Sequence, residues 1–337
     1  MTSKLVAWLP LLAAALTAAL CAFLSRRQAS AWRVNPSTDN PCHRTGSKLV
    51  AGVIPVSVAL CLCAVALLTW RAGAILLFTG GLSVVGWIDD RKPYTPRGKL
   101  LAQAPLFGLG LASLPAALTA HQPWLWAPLG LAALLILTNA VNIVDVADGL
   151  APGVCSLTLG GVGLILLGQG KFELSHLALI FASATLGFLL FNAPPASVVL
   201  GDAGSLALGG VSVALIPHCI EAAAGRLFLV LPLLAFVPLL EVSWVSYQRL
   251  RRGIPPWTAS PHHFVYWLVE RGLSVPRAVT MILIVQALAV SAAAWLCGVG
   301  GAVEWTAGVV LGVTALSWIR QKWTTALGNR VRIRVSP

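Results

Sequence analysis

Apolar residues in this chain do not alternate with polar ones; they run on. Eleven stretches of about 20 mostly apolar residues, the length that crosses roughly 30 Å of hydrocarbon, fall at 4–24, 48–70, 72–88, 100–119, 124–143, 150–168, 174–191, 205–221, 226–246, 277–297 and 303–319. In lipid every backbone N–H and C=O must be bonded within its own segment, so such runs predict helices rather than open strands. The pattern predicts an all-α, polytopic integral membrane protein of about 10–11 transmembrane helices. The first run, "KLVAWLPLLAAALTAALCAFLS", meets Arg26 and Arg27 without an obvious cleavage signal and reads as a retained span. No soluble domain, low-complexity linker, heptad run or internal repeat appears, so residues 1–337 read as one membrane domain.

Composition agrees. Only 10% of residues are charged and 58% are hydrophobic, against about a quarter charged in soluble domains. The net charge of +12 would suit nucleic acid, but 19 of the 23 Lys and Arg residues lie after the first, third and ninth runs and in the C-terminal tail. Lys and Arg are retained on the cytoplasmic side, so this placement predicts an outward N-terminus and a cytoplasmic C-terminus, and attraction to anionic headgroups accounts for the charge. Nucleic acid is excluded as a partner; the lipid bilayer is expected. The seven cysteines show no metal-type spacing and lie mostly inside runs, where they act as small apolar residues.

The chemistry sits in four polar segments: "GWIDDRKPYTPRGKLLAQ", "TNAVNIVDVADGLAPG", "FNAPPASVVLGDAGS" and "RLRRGIPPWTASPHHFVYWLVERGLS". All follow odd-numbered runs and emerge on one face, which the charge bias makes cytoplasmic. They bring Asp89, Asp90, Asp145, Asp148 and Asp202 to that face. Isolated carboxylates at span ends are costly and are kept for partners or function. Five of them repel one another unless a hard cation intervenes, and Mg²⁺ commonly combines one or two protein carboxylates with substrate phosphates. A phosphate-bearing substrate is therefore expected. Asn139 and Asn142 add amide donors and acceptors, Lys99 shares a helix face with Gln103 and can aim an ammonium at phosphate, and Ser205 can open a helix whose amides favour anions. Taken singly, each motif also admits a plain structural reading, such as a solvated "DDRKP" loop, a "GDAGS" turn before an N-cap serine, or surface histidines at His262 and His263.

Together these segments resemble the polyprenyl-phosphate N-acetylhexosamine-1-phosphate transferases, relatives of phospho-MurNAc-pentapeptide translocase and of undecaprenyl-phosphate GlcNAc-1-phosphate transferase. The resemblance rests on the aspartate pair followed by Lys99 and Gln103, on "NAVNIVDVADGLA", "FNAPPA" and "GDAGSLALGG", and covers a core of about residues 75–275. It implies a cytoplasmic cleft and Mg²⁺-dependent transfer of an N-acetylamino-sugar-1-phosphate from a UDP-sugar to undecaprenyl phosphate. UMP is released, and the product is the first lipid-linked intermediate of a cell-envelope polysaccharide such as an O-antigen. It implies Asp202 and Asp145 as ligands of Mg²⁺, with Mn²⁺ as a substitute. Asp89, Asp90, Lys99, Asp145, Asp148 and His263 would be catalytic. Asn139, Asn142, Gly149, Leu150, Asn192 and His262 would bind substrate. It implies a bacterial inner-membrane location and admits a homodimer.

The chain departs from the family pattern at Val146, where a glycine is usual, at Val199, where an aromatic is frequent, and at "SPHHF", where more histidines cluster. Two rivals are a polytopic transporter and a non-catalytic relative that binds lipid phosphate. A transporter places ionisable residues near mid-bilayer in broken spans, whereas these carboxylates sit at span ends.

Overall fold

The computed structural model describes residues 8–27, 33–34, 48–66, 69–115, 123–220, 227–258, 260–299 and most of 303–315. The helices are α1 Leu9–Arg27, α2 Val53–Ala66, α3 Trp70–Asp89, α4 Pro96–Ala112, α5 Pro123–Val144, α6 Leu150–Gly168, α7 Phe172–Asn192, α8 Gly201–Leu215, α9 Leu227–Leu234, α10 Phe236–Leu250, α11 Phe264–Glu270 and α12 Val275–Leu296. Every apolar run carries helix within the described residues. Among these, the helices over Trp70–Asp89, Ala127–Val144, Leu150–Gly168, Phe172–Asn192 and Val275–Leu296 are long and apolar enough to cross a membrane. The chain is an all-α, multi-pass membrane protein.

Local chemistry sets the helix starts. Thr69 caps α3 by accepting the N–H of Ala72 at 3.4 Å, and Thr95 caps α4 by accepting that of Gly98 at 3.1 Å, with Pro96 in the first helical position. Helix α6 is buried along nearly its whole length, against α7 and α12. Helix α8 packs closely on both α3 and α5 and is buried from Ala203 to Leu215.

Three features depart from the pattern of apolar runs. The run at 226–246 divides at Ala235 into α9 and α10. Pro238 cannot donate to the carbonyl of Leu234 one turn back, and that carbonyl instead accepts from Gln286 Nε2 at 3.0 Å and Thr158 Oγ1 at 3.1 Å. Gln286 Oε1 accepts the N–H of Val237 at 2.9 Å, which completes the junction.

The run at 48–70 begins as strand rather than helix. Strand β2, Lys48–Val50, pairs antiparallel with β1, Arg33–Val34, and parallel with β3, Val198–Val199, in the register Leu49↔Val198 and Val50↔Val199. Strands of two or three residues are too short to show a period of two. The segment after α10, read as a polar connection, holds the short helix α11.

Candidate active site

Four helix ends meet: the C-terminus of α3, the first turn of α4, the last turns of α5 and the N-terminus of α8. Gly86 permits the closest of these approaches. A Cβ there would stand 2.2 Å from the carbonyl oxygen of Asp202, so only glycine lets α3 and α8 touch backbone to backbone.

The first turn of α8 leaves N–H groups without intrahelical partners. The Asp90 carboxylate accepts two of them, from Asp202 at 2.8 Å and from Ala203 at 3.1 Å. Asp145 lies near a third, that of Gly201. Gly201 itself has φ +68°, and a Cβ there would lie 2.9 Å from both Asp90 oxygens. The helix begins at Gly201 rather than at Ser205, whose hydroxyl donates back to the carbonyl of Gly201 at 2.9 Å. The anion-favouring amides are thus taken by the chain's own carboxylates.

Lys99 occupies the centre. Its ammonium lies 2.9 Å from Asp89 Oδ2 and 2.5 Å from Asp202 Oδ2, and donates to Asn142 Oδ1 at 3.2 Å. Asn142 Nδ2 donates to Asp202 Oδ1 at 2.7 Å and to Ser205 Oγ at 2.8 Å. Asp89 Oδ1 accepts the N–H of Tyr94 at 2.5 Å. One turn after Lys99, Gln103 exchanges two hydrogen bonds with Asn139, at 3.2 and 2.9 Å. Lys99 and Gln103 therefore both face α5, as their spacing predicts.

The charges do not balance. Burial pushes the Asp90 carboxyl above its ordinary range, more than its two amides and Lys99 restore. Burial and the neighbouring carboxylates of Asp202, Asp90 and Asp148 push Asp145 well above it. Asp148 Oδ2 accepts the N–H of Ala196 at 2.9 Å. Gly149, at φ +81°, turns the chain into α6, and its N–H is accepted by Asn192 Oδ1 at 2.9 Å. Asn192 Nδ2 donates to Val198 O at 2.8 Å, tying this loop to β3. Leu150 is buried as the first residue of α6. Val199 stands in β3, where its carbonyl accepts the N–H of Ala51 at 2.9 Å.

The histidine segment approaches the same loop through Tyr266, whose hydroxyl donates to Val146 O at 3.1 Å. The His263 ring packs edge-on against Tyr266 at 5.2 Å, and its Nδ1 lies 2.9 Å from Glu241 Oε1. His262 is part-buried, and the positive charges of Arg252 and Arg249 reinforce the effect of burial in lowering its pKa. The structure thus joins Asp89, Asp90, Lys99, Asn142 and Asp202 directly, sets Asn139 one turn away, and brings Asp145, Asp148, Gly149, Leu150 and Asn192 to the adjoining loop. Among the described residues His263 is linked to that loop through Tyr266. Sequence reasoning missed Glu241, although an ionisable residue inside the apolar run 226–246 was a signal for it.

Among the described residues no three His, Cys, Asp or Glu side chains converge as metal ligands. The donor chemistry nevertheless fits a hard dication. One ammonium answers Asp89 and Asp202, while Asp145 faces the carboxylates of Asp202, Asp90 and Asp148.

The model of glycosyl transferase family 4 matches residues 72–218, from α3 through α8. The chain is 37% identical over 161 residues to a phospho-N-acetylmuramoyl-pentapeptide-transferase of Halalkalibacterium halodurans, covering 42% of this chain and 50% of that protein. To the protein of the same name in Gloeothece citriformis it is 30% identical over 274 residues, covering 69% and 74%. To a Bacillus subtilis protein named "Probable undecaprenyl-phosphate N-acetylglucosaminyl 1-phosphate transferase" it is 29% identical over 226 residues, covering 64% and 63%. The chain spans about half the length of relatives such as the first of these.

Proposed function

Because the chain belongs to glycosyl transferase family 4, we propose that it moves an N-acetylamino-sugar-1-phosphate from a UDP-sugar to undecaprenyl phosphate, releasing UMP. The observation that carries this reading is Lys99, held between Asp89 and Asp202 within a cluster that has more carboxylates than cations. Such a site is short of positive charge until a cation arrives, and a bound cation can then receive a phosphate-bearing ligand. The membrane in question is the bacterial inner membrane, with the site on its cytoplasmic face, as the Lys and Arg distribution supports. The product begins a cell-envelope polysaccharide, and the relatives' names support the sugar class.

In the reaction an oxygen of the lipid phosphate attacks the phosphorus that carries the sugar. The bond from that phosphorus to the bridging oxygen breaks, and UMP leaves with the bridging oxygen and its electron pair. A phosphate oxyanion is already nucleophilic at neutral pH, so catalysis rests on positioning and charge neutralisation rather than on making a nucleophile. Lys99 can transfer its ammonium from carboxylate to phosphate oxygens with little movement. Asp89, on the Lys99 side of the pair, suits the role of orienting the lipid phosphate or holding its proton. Asp90, bound to two amides of α8, suits that of anchoring the helix on which Asp202 stands. Asn142 holds both Lys99 and Asp202 in register. Asp202 and Asp145 would hold Mg²⁺, or Mn²⁺ in its place, which would neutralise the diphosphate.

Purified protein with Mg²⁺, undecaprenyl phosphate and a panel of UDP-sugars tests this directly. UMP release with at least one donor is expected. No release with any donor, together with no exchange of labelled UMP into UDP-sugar, would overturn it.

A further inference from the structure

Helix α10 presents two charged side chains to the protein interior, eight residues apart on one face with Val245 between them. Glu241 is 3% exposed and Arg249 is 6% exposed. Burying charge is costly unless each group is hydrogen-bonded, and both are bonded to the same downstream segment. Arg249 Nε donates to Ser260 Oγ at 2.8 Å, and its Nη1 donates to Pro256 O. Glu241 Oε1 meets His263 Nδ1 at 2.9 Å, and the two Glu241 oxygens accept the N–H of Phe264 at 3.2 and 3.3 Å. Glu241 thereby holds the first turn of α11 as well as the ring. α10 is a splint along which the loop from Pro256 to Phe264 is laid.

We infer that Glu241 is a positioning residue that acts through His263. A carboxylate has no hydrogen to donate at neutral pH, so a hydrogen bond to Nδ1 requires the proton on Nδ1. This leaves Nε2 as the free atom of the neutral ring, able to accept a proton or hydrogen bond from a ligand. Among the described residues Nε2 has no hydrogen-bond partner. A carboxylate at Nδ1 is the arrangement by which an acid orients a histidine in other hydrolytic and transfer sites. Tyr266 fixes the other side of the ring at 5.2 Å and, through Val146 O, joins it to the loop of Asp145 and Asp148. His263 is thus oriented from two sides. A role for its Nε2 on the sugar phosphate rests on the transferase reading above, while the tautomer itself does not.

Two measurements on the full-length protein in detergent separate these claims. In ¹⁵N-histidine spectra, with His263 assigned by its loss in His263→Ala, the wild type should carry its proton on Nδ1. Glu241→Leu should move it to Nε2, and Glu241→Gln, which can still accept from Nδ1, should leave it in place. A wild-type proton on Nε2, or no change in Glu241→Leu, overturns the inference whether or not any UDP-sugar is turned over. The second measurement is a double-mutant cycle on UMP release. Glu241→Leu should lower kcat at least tenfold in the wild type and less than twofold in the His263→Ala background, with Glu241→Gln restoring much of the loss. Additive losses, or a His263→Ala variant as active as the wild type, overturn it as well. A helix support with no link to the histidine would produce additive losses and leave the spectrum unmoved.

Discussion

Asp90 Oδ1 accepts the backbone N–H of Asp202 at 2.8 Å, joining residues 112 positions apart. The two acids that begin "DDRKP" therefore have different partners. Asp89 turns to Lys99 and Asp90 to the start of α8. Asp89→Asn and Asp202→Asn are each expected to lower UMP release by well over tenfold, more than about 1.4 kcal/mol of barrier. Asp90→Asn keeps at most one of its two accepted bonds and leaves an N–H of the first turn of α8 without its acceptor. It should lower stability by about 1 kcal/mol in a thermal melt and lower turnover less than Asp89→Asn. A larger turnover loss in Asp90→Asn than in Asp89→Asn would reverse the assignment.

Lys99→Met removes the ammonium that bridges Asp89 and Asp202. Turnover should fall by at least about a hundredfold, or about 2.7 kcal/mol of barrier. Lys99→Arg should recover part of it, because a planar guanidinium cannot reproduce the compact three-way contact with Asp89, Asp202 and Asn142. Steady-state rates of the two variants at saturating donor make the comparison.

Asp145→Asn should make the protein more stable and less active. The Asp145 carboxyl lies well above the ordinary value of 3.8, with burial as the first cause and three carboxylates as the next. A group whose folded-state pKa is raised costs stability as pH rises above its unfolded value. The stability gap between the Asp145→Asn variant and the wild type should therefore widen above about pH 4 and vanish below it. Thermal melts across pH, paired with UMP release at neutral pH, would show a gain in one and a loss in the other. A destabilised variant at neutral pH would refute the electrostatic account.

Gly86→Ala places a methyl 2.2 Å from the Asp202 carbonyl. α3 and α8 must part, at a cost of about 1–3 kcal/mol, and the Lys99 contacts to Asp89 and Asp202 should loosen with them. Turnover should drop even though residue 86 touches no substrate. Gly108→Ala in α4 is the control, since nothing lies within 4 Å of a Cβ there. It should leave turnover intact and gain up to about 1 kcal/mol from helix propensity.

Chelation should abolish UMP release, with recovery on adding Mg²⁺ or Mn²⁺ and little with Ca²⁺, whose larger and looser shell fits in-line transfer poorly. Full activity after exhaustive chelation would remove the dication from the proposed reaction.

Much of this was legible along the chain. Runs as apolar as "LAPGVCSLTLGGVGLILLG" have few stable states in lipid other than helix, because their backbone groups must bond within the segment. The spacing of Lys99 and Gln103 sets both on one side of α4, and that much follows from 3.6 residues per turn. Other features left no such trace. Nothing near Pro238 announces that Gln286 and Thr158 will take the carbonyl it frees, and the strand at Lys48–Val50 is too short to carry a period.

The sequence by itself determined the long apolar helices, the membrane as their solvent and the placing of five aspartates near helix ends, since each depends on residues a few positions apart. Only the tertiary structure decided that Asp89 meets Lys99, that Asp90 binds the amides of α8, and that Glu241 holds His263. Those pairings join residues from different helices, and which oxygen meets which donor depends on how closely the helices pack, down to the absent side chain of Gly86.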